Sequence, residues 1–311
     1  MKLVTTKILQ ERATKRNRAV VAFNVNNMEL IQAITRTAAQ LNCDIILQVT
    51  SGAVKYAGMA YIRKLVDAAI VDIEATYPAY KGDIALHLDH GADFATCKDA
   101  VDSGFTSVMI DGSHFPFEEN IALTKKVVEY AHAKGVAVEG ELGKISGIED
   151  HVQSATSAYT DPDQAREFVE RTGVDALAIS IGTAHGAFKY KPGSVPDLRF
   201  DICSAIHKLL PHTPLVLHGA SSVTPADLAT INKFGGKIEN AMGVAEATLA
   251  KSIACGVRKI NVDSDLRLAF TAGLREYFTL HPDHFDPRQY LSYARDQVAR
   301  VVKTKLETFS V

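Results

Sequence analysis

The sequence has little with which to build a covalent framework, a membrane span or a charged surface. Its four cysteines, Cys43, Cys97, Cys203 and Cys255, lie far apart with no C-x-x-C pair, which argues against a disulfide scaffold and for reduced, buried thiols. No apolar run approaches the ~20 residues that a bilayer span needs, and residues 1–18 are charged where a secretion signal would be apolar. A cytoplasmic protein is expected. Lys and Arg total 34 against 36 Asp and Glu, so no global field recruits nucleic acid or an anionic membrane, and any anion binding must be local. The patterns G-x-G-x-x-G, G-x-x-x-x-G-K-[ST], H-E-x-x-H and G-x-S-x-G are all missing. Their absence moves nucleotide cofactors and serine hydrolysis down the list of chemistries.

What the chain does have is core material, with 47% hydrophobic and 23% charged residues over 311 positions. Short β-branched runs recur at Val20–Val25, Asp44–Val49, Ile84–Asp89, Ser107–Gly112, Val136–Leu142, Ala176–Gly182, Leu215–Ala220 and Val257–Val262. Most are nearly continuous in hydrophobicity, as strands buried on both faces of a parallel sheet must be. Between them lie helical stripes such as Ile31, Ile34, Ala38 and Leu41, or Ile62, Leu65, Val66 and Ala69. Asp161-Pro162 and Thr224-Pro225 read as a cap followed by a first-turn proline, and Gly135 and Gly173 stand where helices should stop. Eight strands alternating with helices and no linker predict an α/β fold, one (β/α)8 TIM barrel spanning 1–311. Residues from about 265 to 311 are expected to add C-terminal helices that cover a barrel end or build a subunit interface. The polar segment Gly143–Thr160 is long for a βα loop, and such loops often act as mobile lids.

Barrel active sites form at the C-terminal ends of the strands, and the strand ends here carry a consistent set: Asp89-His90, Asp111, Glu139-Gly140-Glu141, His185-Gly186, His218-Gly219 and Asn261-Val262-Asp263. Three histidines, His90, His185 and His218, would converge on one rim, an arrangement that binds catalytic zinc with one position left open. Asp89, Asp111 and Glu141 supply candidates for an acid/base and for carboxylates that orient imidazoles. Helix capping or ion pairing is the competing reading, stronger for Asp111 than for Asp89. Gly186 with Lys189, and Gly219 with Ser221 and Ser222, suit backbone N–H groups approaching a phosphate. The other histidines, His87, His114, His132, His151, His207, His212, His281 and His284, are taken as structural or solvated.

At this point the residues resemble the class II fructose-bisphosphate aldolases across essentially the whole chain. The matching segments are Ala22–Asn24, Thr50–Ala53, Leu86–Gly91, Val138–Gly143, Gly182–Gly186, Leu217–Ser221 and Asn261–Asp265, with Asp286–Leu291 similar to the family's C-terminal region. The resemblance implies reversible cleavage of D-fructose 1,6-bisphosphate to dihydroxyacetone phosphate and D-glyceraldehyde 3-phosphate. It implies Zn2+ on His90, His185 and His218, with Glu141 near a second metal position. Asp89 would be the acid/base at the C4 hydroxyl, and Glu149, in the long loop, would move the proton on the triose carbon. Gly186, Lys189, Gly219, Ser221 and Ser264 would hold the ketose-side phosphate, with a monovalent cation such as Na+ or K+ close by. Asn24, Asn261 and Asp263 would contact hydroxyls or the intermediate, and Ser51 and Arg267 the distal phosphate. The family is dimeric or tetrameric, so a homodimer or homotetramer is implied.

The chemistry is coherent, because retro-aldol cleavage leaves an enediolate whose charge a Lewis acid stabilises without a Schiff-base lysine. A tagatose-bisphosphate aldolase is the nearest rival; its relatives usually lack the aspartate found here at Asp263. A metal-dependent hydrolase more often carries His-x-His after the first strand, where Val25 and Asn26 stand. A non-catalytic barrel scaffold would have lost ligands, and none is missing.

Overall fold

Eight parallel strands close on themselves in the computed structural model, which describes residues 2–149, 152–154, 158–188 and 196–311. They are β1 (Val20–Asn24), β2 (Ile45–Thr50), β3 (Ile84–Gly91), β4 (Ser107–Ile110), β5 (Ala137–Leu142), β6 (Ala176–Ile179), β7 (Leu215–Leu217) and β8 (Val257–Val262). Each pairs with its neighbours in sequence, and β1 meets β8 in the register Val20↔Lys259. All eight fall within or beside the apolar runs, and every residue of every strand is buried. The continuous hydrophobicity has this cause: alternate residues of each strand meet the helices and fill the barrel, so both faces are covered.

The outer layer forms where the helical stripes predict it. In the helix Met28–Leu41, Leu30, Ile31, Ile34 and Ala38 are buried, each large side chain contributing about 1.5–3 kcal/mol by leaving water. The caps follow the expectation in part: Thr224 stands before the first-turn Pro225 but makes no side-chain cap hydrogen bond, and the helix before Gly135 already ends at His132. Asp161 accepts from the N–H of Gln164 at 2.9 Å ahead of Pro162. Gly173 closes the helix Pro162–Thr172 in the left-handed region at φ 74°, which an L side chain would resist. The C-terminal region forms two helices, Ser264–Leu280 and Pro287–Phe309, which pack on each other and, through the second, on Met28–Leu41 at the barrel wall. Among the described residues no helix is long and apolar enough to cross a membrane.

Two features lie beyond the sequence reading. First, the charged N-terminal segment forms the helix Thr6–Arg16, which plugs the N-terminal end of the barrel. Leu9 is fully buried among Val20, Ala22, Ile46 and Ala85, and the hydroxyls of Thr6 and Ser107 hydrogen-bond at 2.8 Å. Alanines at interior positions of β1 and β3 leave room for this plug. Second, the segment after β5 is not a plain loop. Ser146–Glu149 pairs antiparallel with Val152–Ser154 and parallel with Ala184–His185, so the backbone that carries His185 is tied to the segment expected to act as a lid.

Candidate active site

A strand points successive side chains to opposite faces, yet Asp89 and His90 both turn into the site. The register between β3 and β4 explains this. His87 and Leu88 pair with Ser107 and Val108, but Gly91 pairs with Ile110, so β3 carries one extra residue there. His90 takes up the bulge with φ 48°, a left-handed conformation rare for a residue other than glycine. Gly91 must be glycine, because a Cβ would meet Cys97 Sγ and the Met109 carbonyl oxygen at 2.6 Å. The bulge thus gives the site two adjacent functional groups from one strand.

The rings of His90 and His218 stand 4.6 Å apart, and His185 packs edge-on to both at 5.1 and 6.2 Å. Each of the first two is oriented by a carboxylate: His90 Nδ1 lies 2.9 Å from Asp111 Oδ2, and His218 Nε2 lies 2.7 Å from Glu139 Oε1. Those bonds assign the ring protons to Nδ1 of His90 and Nε2 of His218. The remaining nitrogens, His90 Nε2 and His218 Nδ1, then face each other at 3.0 Å. At that distance either His90 is protonated and donates Nε2–H to His218 Nδ1, or a cation takes that proton's place. Two imidazoles on one tetrahedral metal, at 2.0–2.1 Å from each nitrogen, would put those nitrogens about 3.3 Å apart, so the pair is close to the edge of such a site. Ligand atoms of Asp89, His90 and His218 lie within 4.8 Å of one another, as do those of His90, Asp111 and Glu141. His185 stands outside both groups and joins the site through its ring contacts.

The electrostatics fit the same conclusion. Burial alone would lower His90, but the hydrogen bond to Asp111 and the charges of Asp89, Asp111 and Glu141 outweigh it and hold the imidazole well above its usual range. Surroundings that favour a proton there favour any cation. Burial and the charge of Asp111 push Glu141 well above the carboxylate range, and Glu141 Oε2 is buried without a hydrogen-bonding partner. Buried polar atoms are rarely left so, and a divalent ion would neutralise this one. The residues present therefore fit a metal.

Beneath the histidines is a polar layer to which the sequence reading assigned no role. Glu139 Oε2 pairs with the fully buried Lys259 Nζ at 2.9 Å and stands 3.7 Å from His87 Nε2. His87 Nδ1 in turn bonds the Ser107 hydroxyl at 2.8 Å. Burial would raise Glu139, but the Lys259 charge and the His218 contact overcome it and hold the carboxyl far below its usual value. Burial similarly lowers His218, keeping it neutral and able to donate Nε2–H to Glu139. The available signal was charge inside apolar runs: Glu139 in Val136–Leu142 and Lys259 in Val257–Val262. His87, read as structural, belongs to this layer.

Asp89 is fixed from both sides of the barrel seam. Asn24 Nδ2 donates to its Oδ2 at 2.9 Å and Asn261 Nδ2 to its Oδ1 at 3.3 Å, while Gln48 donates to Asn24 Oδ1 at 2.5 Å. Asn261 Oδ1, Thr183 Oγ1 and Ser51 Oγ are buried without partners, all at C-terminal strand ends, where a substrate's hydroxyls and phosphates would satisfy them. Gly186 and Gly219 adopt positive φ of 81° and 62°, and a Cβ on Gly219 would strike the Ala184 backbone. Ser221 is buried beside Gly219, and Ser264 opens the helix after β8. Arg267 is exposed and bonds Asp263 at 2.7 Å, so these two expected contacts form a pair. Glu149 ends its short strand, while its side chain, Lys189 and His151 lie outside the described residues.

The profile of the family described as fructose-bisphosphate aldolase class-II matches residues 4–311. A fructose-bisphosphate aldolase of Giardia intestinalis is 47% identical, with 99% of this chain and 93% of that protein covered. One of Thermus caldophilus is 46% identical over 99% of this chain and 98% of its own length. Among solved structures, a putative fructose-1,6-bisphosphate aldolase from Coccidioides immitis superposes with a TM-score of 0.79 at 28% identity, covering 97% of this chain and 94% of its own. Barrel, strand-end chemistry and relatives agree, and the chain belongs to the class-II fructose-bisphosphate aldolase family.

Proposed function

We infer that the strand-end residues carry out the reversible cleavage of D-fructose 1,6-bisphosphate into dihydroxyacetone phosphate and D-glyceraldehyde 3-phosphate, which makes the protein an aldehyde-lyase. The observation that carries the reading is the pair of facing nitrogens on His90 and His218, each set by its own carboxylate. His90, His218 and His185 would hold one Zn2+, with Glu141 and Asp111 at its margin. Bound there, the ion supplies a Lewis acid that stabilises the negative charge left on the ketose fragment.

This chain's residues supply the rest. Asp89, oriented by two amide donors, takes the proton from the C4 hydroxyl as the C3–C4 bond breaks, and returns it in the condensation direction. Glu149 delivers the proton to C3 of the released triose. Asn261 and Asp263 orient the substrate's hydroxyls. Gly186, Lys189, Gly219, Ser221 and Ser264 bind the ketose-side phosphate beside a monovalent cation, and Ser51 and Arg267 the distal one. Exposed Phe278, Leu280 and Phe285 on the C-terminal helical region support self-association as a dimer or tetramer.

The test is cleavage of fructose 1,6-bisphosphate against tagatose 1,6-bisphosphate, before and after chelation and after zinc add-back. Chelator-sensitive cleavage that favours fructose and returns with zinc is expected. Chelator-resistant cleavage would remove the metal from the mechanism, and a preference for tagatose would reassign the substrate.

A further inference from the structure

The helix Pro287–Phe309 lies on the outer wall of the barrel, yet one of its lysines ends beneath the proposed phosphate loops. Lys305 is fully buried. Its Nζ donates to Ser222 Oγ at 2.6 Å and pairs with Asp265 Oδ2 at 2.6 Å and Glu246 Oε1 at 2.8 Å. Asp265, equally buried, accepts the N–H of Ser222 at Oδ2 (2.9 Å) and that of Val223 at Oδ1 (2.6 Å). One ammonium therefore joins the segment after β7, which carries Gly219 and Ser221, to the start of the helix after β8, which carries Ser264.

Two further facts make this more than a stabilising pair. Val223 adopts φ 52°, a conformation that a β-branched side chain resists and that persists only where the surroundings impose it. The Asp265 carboxylate, gripping two successive N–H groups, is what imposes it. Stability alone is also a poor reason for the arrangement, since well-packed apolar side chains usually serve a buried position as well as an ion pair does. Asp265 without Lys305 would instead place an uncompensated negative charge under the place where a phosphate dianion must bind.

We propose that Lys305 is a positioning residue for phosphate binding: through Asp265 and Ser222 it fixes the loop that carries Gly219 and Ser221 against the helix start at Ser264, and offsets the Asp265 charge below them. The inference rests on the reading that Gly219, Ser221 and Ser264 hold the ketose-side phosphate.

Titration calorimetry with inorganic phosphate on the metal-loaded protein tests it, with KM, kcat, bound metal and melting temperature measured alongside. Lys305→Met should weaken phosphate binding and raise KM by about tenfold or more, the scale on which losing an outer-shell partner acts elsewhere, with kcat changed less and metal content unchanged. A lowered melting temperature with phosphate affinity and KM intact would reduce Lys305 to a structural prop and overturn the proposal. If Lys305→Met does not fold, Ser222→Ala decides, since it removes one acceptor of the ammonium and leaves the buried Asp265 pair: weaker phosphate binding supports the proposal and unchanged binding overturns it. Ser221→Ala and Ser264→Ala separate the two ways of failing. If these also leave phosphate affinity unchanged, the phosphate reading itself is wrong; if they weaken it and the Lys305 and Ser222 variants do not, only the role of Lys305 falls.

Discussion

His218 Nε2 and Glu139 Oε1 stand 2.7 Å apart, with Lys259 pairing the other oxygen of the same carboxylate. The ring is thereby held with Nδ1 as its accepting nitrogen, facing His90 Nε2 at 3.0 Å and the Asn261 amide at 3.1 Å. Outer carboxylates of this kind raise ligand basicity and typically contribute 10–100-fold in metal affinity. Glu139→Ala should lose metal affinity on about that scale in a chelator competition, and Glu139→Gln less, because an amide oxygen still accepts the Nε2 proton. Wild-type affinity in Glu139→Ala would show that the contact does not set the ring.

His185 tests the third ligand. Its ring packs against both other imidazoles but stands outside the tightest groups of ligand atoms. His185→Ala should abolish stoichiometric metal binding and turnover while the far-ultraviolet dichroism of the barrel is retained. A variant that still carries one metal per chain and turns over normally would remove His185 from the coordination set.

The pH dependence of the metal-free protein has a definite sign. His90 is held well above its ordinary 6.5 and Glu141 well above its ordinary 4.5. A group whose folded-state value is raised stabilises the fold below its unfolded value and loses that stabilisation as pH rises through the folded one. The contribution of Glu141 declines as pH rises above 4.5 and that of His90 as it rises above 6.5, whereas above 6.5 those of His87 and His218, which burial lowers from the same 6.5, are already complete. The melting temperature of the metal-free protein should therefore fall as pH rises above 6.5, and metal should flatten the dependence by taking the proton's place. A melting temperature that climbs with pH in the metal-free protein would contradict the field described at His90.

Gly147 couples the segment after β5 to His185, a proposed ligand. It sits at φ 109°, and a Cβ there would collide with the backbone of His185. Gly147→Ala should cost about 1–3 kcal/mol of strain, relieved by displacing Ala184–His185, so metal affinity and kcat fall together. Loss of stability in a denaturant titration with metal affinity intact would show that the displacement does not reach the imidazole.

Much of this is legible in the sequence, and unevenly. Barrel strands bury both faces, so Ile45–Thr50 and Val257–Val262 announce themselves as apolar runs, and strand-end histidines such as His90 and His218 stand out against them. The N-terminal plug was not legible, because Thr6–Arg16 buries only Thr6, Leu9, Gln10 and Ala13 and otherwise reads as a charged surface helix. Glu139 and Lys259 were visible as charges within strands, but that they neutralise each other across the barrel follows only from closure, which brings residues 120 positions apart to 2.9 Å. The bulge at His90 left no mark in the sequence at all, since nothing in the residue types distinguishes a strand with one residue too many.

The seam of the barrel joins early and late parts of the sequence. Ala19 donates its N–H to the Phe309 carbonyl at 2.9 Å and accepts from the Ser310 hydroxyl at 2.9 Å, while β1 pairs with β8. On a ribosome working at roughly 5–20 residues per second, β1 emerges roughly 10–50 s before the strand that completes it. Through that interval the edge of β1 that β8 covers has no partner strand within the chain. Asn24 and Asn261, which together fix Asp89, come from the two sides of that seam, so no nascent chain that ends before Asn261 holds Asp89 from both sides.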